Sequence, residues 1–200
     1  MSIEYEATFP NINKDKTRTR LQDVGAILEY SETLQKRSNF NPPQNQDENS
    51  WIRIRDEGHG IITMSYKTVP DKADTINQQR EICLQVDSFK EAKDFLILLG
   101  CKEKSYQETK RELWLIDGVQ VTIDEWPFLA PFLEIESNSE SAVKCVVEKL
   151  GYDYQKALFC NVFYLYSQQY GISIDDLKKR VSTELSCLTF SSNNPFDKIK

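Results

Sequence analysis

Residues 3–9 alternate strictly, with Ile3, Tyr5, Ala7 and Phe9 on one side and Glu4, Glu6 and Thr8 on the other. That period of two predicts a strand with one apolar and one acidic face. The same alternation recurs along the chain. Ile52 and Ile54 oppose Arg53 and Arg55, while Ile62, Met64 and Tyr66 oppose Thr63, Ser65 and Lys67. Ile82, Leu84 and Val86 oppose Glu81, Cys83 and Gln85. Val121 and Ile123 oppose Thr122 and Asp124, and Leu133 and Ile135 oppose Glu134 and Glu136. Strands are accordingly expected over 34–40, 51–56, 61–68, 79–86, 106–116, 119–125 and 132–137. Glu57-Gly58-His59-Gly60 and Asp117-Gly118 supply hairpin turns, and polar loops are expected over 41–49 and around 70–75.

A period near 3.6 marks the helices. Asn13 is an N-cap for a helix from Lys14 towards Gly25 that carries Leu21 and Val24. Ser88 caps one that ends near Gly100, with Ala92, Phe95, Leu96 and Leu99 on one stripe. A third runs from Ser139 to Leu150 with Val143, Val146 and Val147 inward and Gly151 past its end. Residues 154–170 carry Phe159, Phe163, Tyr166 and Tyr170 at helical spacing. Ser173 with Asp176 resembles a capping box for a short helix through Arg180. From Ser186 the composition turns to Ser, Asn and Pro, and a loosely held tail is expected.

Two hundred residues with 40% hydrophobic content suit one domain with a full core. Charge changes the picture more: 25 basic against 31 acidic residues, a net of −6, argue against sequence-independent nucleic-acid binding. No apolar run approaches the roughly 20 residues a membrane span needs, and Glu4 and Glu6 interrupt any signal-peptide pattern. Five widely spaced cysteines without a C-x-x-C pair read as reduced thiols of a cytoplasmic protein. Neither a membrane nor a nucleic acid is expected as a partner.

The apolar strand faces call for cover by the amphipathic helices. The charged faces can meet water as an open sheet, or the sheet can curl so that they line an interior. Mixed charge in a closed interior is costly unless paired or ligated, and periodicity leaves the two outcomes open. Clustered Asp and Glu without His or Cys suit Mg²⁺ or Mn²⁺, and arginine forks suit phosphate oxygens. The plainer reading makes Arg53 and Arg55 surface partners of glutamates, a weakly stabilising arrangement. His59 sits in a glycine-rich turn and is expected to be exposed and inert. Trp51 and Trp126 are expected at a mouth or in the core.

The order of IEYEATF, WIRIR, MSYK, KRELW and DEWPFLAPFLEIE resembles the CYTH superfamily, the triphosphate tunnel metalloenzymes that include class IV adenylate cyclases and thiamine triphosphatases. The resemblance covers about residues 2–150, with 151–200 as a helical extension and tail packed on the same domain. It implies an α+β fold, an eight-stranded antiparallel β-barrel tunnel with helices packed outside. By resemblance, Glu4, Glu6, Glu81, Glu134 and Glu136 hold Mg²⁺ or Mn²⁺, and Glu6, Asp124 and Glu134 serve catalysis. Arg53, Arg55, Lys67, Arg111 and Lys110 bind the triphosphate. Two departures stand out: the family's E-x-E-x-K has Thr8 at its lysine, and its central E-x-E has Cys83 at the second acid. Lys36 or Arg37 is a candidate to offset the missing charge.

The implied function is metal-dependent hydrolysis of tripolyphosphate or of a nucleoside or thiamine triphosphate. The alternatives are a class IV adenylate cyclase making cyclic AMP and pyrophosphate, and a triphosphate-binding module with weakened catalysis. A homodimer is compatible with all three.

Overall fold

The computed structural model describes residues 2–43, 50–68 and 79–198. The expected loop around 70–75 and most of that over 41–49 lie outside the described residues. The elements run β1 (Ser2–Phe9), α1 (Lys14–Asp23), β2 (Ile27–Asn41), β3 (Ser50–Gly58), β4 (Ile61–Thr68), β5 (Gln79–Val86) and α2 (Phe89–Leu98). They continue with β6 (Lys102–Ile116), β7 (Val119–Glu125), β8 (Phe132–Ser137), α3 (Glu140–Lys149), α4 (Val162–Tyr170), α5 (Ile174–Arg180) and β9 (Cys187–Leu188).

Hydrogen bonding links β2-β3-β4-β5-β1-β8-β7-β6 in sequence, and β6 pairs again with β2. The eight strands therefore close into an antiparallel ring, and the short β9 adds in parallel to β6. Side chains alternate across the wall, so the acidic and basic faces turn inward and the apolar faces outward. Ala7, Phe9, Trp114, Val121, Ile123, Leu133 and Ile135 meet Val143, Val146, Val147 and Leu150 of α3, with Leu21 of α1, in one outer core. Ala92 and Leu96 of α2 pack on Phe40 and Ile54 in a second. Asn13, Ser88 and Ser139 each accept a backbone N–H of the first turn of their helices. Asp117 and Gly118, at φ 51° and 77°, make the two-residue hairpin turn that joins β6 to β7.

Three expectations change. β2 spans 15 residues, not the seven of 34–40. Its first half lies between a polar lumen and solvent, and a strand wetted on both faces carries no apolar stripe to read. The expected helix over 154–170 is broken: a 3₁₀ turn covers Tyr154–Lys156, and α4 begins only at Val162. Between them Leu158 exchanges both backbone hydrogen bonds with Thr8 (3.0 and 2.9 Å), occupying the edge of β1 beyond its pairing with β5. The tail from Ser186 is anchored. Leu188 and Phe196 are fully buried, and Phe196 stacks against both Tyr166 and Tyr170 with ring centroids 4.6 and 4.5 Å away.

Only part of the expected α2 stripe is seated. Phe95 and Leu99 are exposed, as are Leu98 beside them and Ile82 and Leu84 of β5. No helix among the described residues is long and apolar enough to cross a membrane.

Candidate functional site

The register divides the barrel wall into an acidic and a basic arc. Across β1, β8 and β7, Glu6 lies opposite Glu136, and Thr8 and Thr122 flank Glu134 on its two sides. Across β2, β3 and β4, Arg37 lies opposite Arg55, Arg53 opposite Ser65, and Lys67 opposite Glu81 of β5. Glu6, Arg37, Arg53, Arg55, Lys67, Glu81 and Asp124 are all buried. Unsatisfied buried charge is expensive, so the pairing inside the lumen decides what the site can do.

Arg111 stands at the seam of the arcs. Its Nε and Nη2 donate to the two carboxylate oxygens of Asp124 at 2.7 and 2.9 Å, and Nη2 also donates to Glu134 at 2.6 Å. Thr122 Oγ1 donates to Asp124 at 2.6 Å. Desolvation works against the Arg111 charge, but Asp124 and Glu134 outweigh it and hold the guanidinium firmly protonated. Glu134 is pushed the other way, well above the usual carboxylate range, first by burial and then by the charges of Glu6 and Asp124. Its side chain is 19% exposed, but that surface faces the lumen and not bulk water. Glu134 thus shares the one guanidinium of Arg111 with Asp124.

The basic arc carries the opposite imbalance. Arg53 and Lys67 share Glu81 at 3.1 Å each, and Arg55 pairs with Glu57 at 2.8 Å. Arg37 has no such carboxylate; its Nη2 donates to Thr109 Oγ1 at 2.7 Å and its guanidinium lies 4.5 Å from the Trp126 ring centroid. Burial, then repulsion from Arg53 and Arg111, lowers Arg55 to about 10. Burial and the other three arginines depress Arg37 as well. The buried Nε–H groups of Arg37, Arg53 and Arg55 lack acceptors, and the hydroxyls of Thr8 and Ser65 and the amide oxygen of Gln35 are also unmatched.

Of the residues singled out in the sequence, Glu6, Arg53, Arg55, Lys67, Glu81, Arg111, Asp124, Glu134 and Glu136 come together in one lumen. The side chain of Glu4 lies outside the described part. Glu81, expected among the metal ligands, is engaged by Arg53 and Lys67. Lys110 is a correction: it alternates with Arg111 and so points outward, over the Phe190 ring and 3.6 Å from Glu125. Among the described residues no three acids, cysteines or histidines are gathered as a ready metal cage. Mg²⁺ and Mn²⁺ often take only one or two carboxylates and complete their shell with substrate phosphate and water. Glu6 and Glu134, carboxylate oxygen donors on the same arc, fit that role.

Sequence reasoning undervalued two places. Arg37 is a full member of the basic arc, and the alternation Gln35, Arg37, Asn39 was its only signal. His59 is exposed but engaged: it stacks on Tyr30 (centroids 4.9 Å, 22°) and bonds Thr33 Oγ1 at 2.9 Å. With Gln35, Glu57 and Arg111 it lines a cavity of about 60 Å³ at the end of the barrel formed by the β3–β4 turn.

The sequence profile of a family described as CYTH domain matches residues 38–156. No curated protein matches the sequence significantly. Several solved structures share the fold. A candidate adenylate cyclase from Vibrio parahaemolyticus superposes with a TM-score of 0.68 at 11% identity, over 83% of this chain and 98% of that one. A Pyrococcus horikoshii protein gives 0.62 at 20% identity, over 83% and 99%. A Hippeastrum protein described as a candidate adenylyl cyclase with a dominant triphosphatase activity gives 0.54 at 13% identity, over 88% and 99%.

Proposed function

Because the chain belongs to the CYTH domain family, we propose that it is a metal-dependent triphosphate phosphohydrolase acting on tripolyphosphate or an organic triphosphate. The observation that carries this reading is the trio of buried arginines, Arg37, Arg53 and Arg55, that repel one another and keep Nε–H groups without acceptors. A chain of phosphates supplies both the negative charge and the acceptor oxygens they lack. Opposite them, Glu6 and Glu134 would hold Mg²⁺ or Mn²⁺. Bound there, the ion would offset charge on the phosphate oxygens.

The protein's own groups account for the rest. Arg53, Arg55, Arg37 and Lys67 bind and orient the triphosphate, and their charge favours the transition state as negative charge develops on the leaving phosphate. Arg111, fixed by two oxygens of Asp124, holds Glu134 in position. As water attacks the terminal phosphorus, its proton passes to a nearby carboxylate while the bond to the leaving diphosphate breaks. Asp124, buried beside Glu134 on the same arc, is placed to receive it.

A class IV adenylate cyclase is the second reading, favoured by the description of the Vibrio relative. Hydrolysis ranks first because it needs only water in addition, and because the Hippeastrum relative is described as chiefly a triphosphatase. Product analysis with ATP and with tripolyphosphate, each with Mg²⁺ or Mn²⁺, tests the choice. Orthophosphate that disappears in Glu134→Gln is expected. Cyclic AMP with pyrophosphate would transfer the assignment to the cyclase, and no product from either substrate would leave a binding module.

A further inference from the structure

Among the described residues Arg37 is buried without a carboxylate partner, and the segment that fixes its aromatic support comes from outside the span that matches the family. Its guanidinium rests on Trp126, the first residue after β7. The loop that follows is conformationally costly: Phe128 has φ 63°, an uncommon setting for a bulky side chain that surroundings must impose. Those surroundings are α4. Gln169 Nε2 and Tyr170 Oη both donate to the Phe128 carbonyl, at 2.7 and 2.6 Å. Gln169 Oε1 accepts the N–H of Ala130 at 3.1 Å, and Tyr166 Oη donates to the Pro127 carbonyl at 2.7 Å. Trp126 itself is buried in the cluster that includes Leu165, Tyr166, Leu188 and Phe196. Four hydrogen bonds from one helix are thus spent on a single loop whose buried aromatic residue faces the lumen arginine.

We propose that the C-terminal extension is a working part of the anion site: α4 clamps the 126–130 loop so that Trp126 holds Arg37 towards the lumen as a phosphate-binding cation. Gln169, Tyr170 and Tyr166 are then positioning residues, and Arg37 is the group that touches the ligand. A guanidinium buried without a counter-ion is costly to keep, and an aromatic face compensates it only in part. An anion in the lumen supplies the remainder. The inference rests on the triphosphate reading and extends it to residues beyond position 156.

Calorimetry of the 200-residue chain with tripolyphosphate and Mg²⁺ tests it. Arg37→Ala is expected to weaken binding on the order of 10- to 100-fold, and Gln169→Ala combined with Tyr170→Phe by about tenfold. The decisive comparison is the clamp change made in the Arg37→Ala background, where no further loss is expected, because the clamp acts through Arg37. An equal loss in both backgrounds would make the clamp merely structural and overturn the proposal. If the double change does not fold, Tyr166→Phe removes a single hydroxyl and is read by the same comparison. Wild-type affinity in Arg37→Ala, alongside a loss in Arg53→Ala, would overturn this inference and leave the triphosphate site standing. A wild-type protein that does not bind tripolyphosphate would overturn both.

Discussion

Arg37, Arg53 and Arg55 line one wall of a barrel only eight strands around, and no single carboxylate serves all three. Each is charged at neutral pH in the unfolded chain, so gathering them opposes folding until an anion arrives. Arg37 bears the largest share, since it has neither Glu57 nor Glu81. Replacing it by methionine, which fills much the same volume without the charge, is expected to stabilise the ligand-free protein by about 1 to 3 kcal/mol, several degrees in Tm. The same variant should lose much of the thermal shift that tripolyphosphate gives the wild type. Scanning calorimetry with and without tripolyphosphate measures both, and a less stable Arg37→Met would mean that stacking on Trp126 outweighs the charge. Thr8 belongs to the same account: its hydroxyl is buried on the acidic arc without a partner.

At the scale of elements, α2 shows how a helix can be amphipathic in sequence and only half used. Ala92 and Leu96 are seated on Phe40 and Ile54, while Leu98 is 86% exposed. Leu96→Ala is therefore expected to cost about 2 to 5 kcal/mol through lost contacts and a cavity, whereas Leu98→Glu should stay within about 0.5 kcal/mol. Urea titration of the two variants separates them, and equal costs would show that Leu98 is covered in solution. The elements with one wet and one dry face were the legible ones. The bounds of β5, β7 and β8 follow from alternation and turn residues alone, and so does the placing of Glu6, Arg53, Arg55, Lys67 and Glu134 on the face opposite the apolar one. β2 was cut to half its length because neither face of Ser31–Glu32 is apolar. The break before α4 was missed because Leu158 satisfies its backbone on Thr8, 150 residues away in the chain, a bond that no local pattern announces. Closure of the ring came from the family resemblance, not from periodicity, since an open sheet has the same alternation.

For the molecule as a whole, the C-terminal segment changes from appendage to core. Phe196, the last large side chain described, is fully buried against two tyrosines of α4. Phe196→Ala is expected to destabilise the protein by about 3 to 5 kcal/mol, and removing residues 186–200 should expose the Trp126 cluster to dye binding and proteolysis. A truncated protein that melts like the wild type would return the segment to the status of a tail.

The ring closure has a further consequence, for the order of events during synthesis. β3 and β4 can pair across a two-residue turn as soon as both have left the ribosome, but β1 pairs with β5 and β8, and Thr8 meets Glu134. Contacts of such span are entered late, because the loop between them must first be closed. β1 is the first strand of the barrel to emerge and among the last to be paired. Throughout that interval Ala7 and Phe9 have no core and its backbone has no ladder, so a nascent chain is most open to misassociation at the strand that later carries Glu6 into the site.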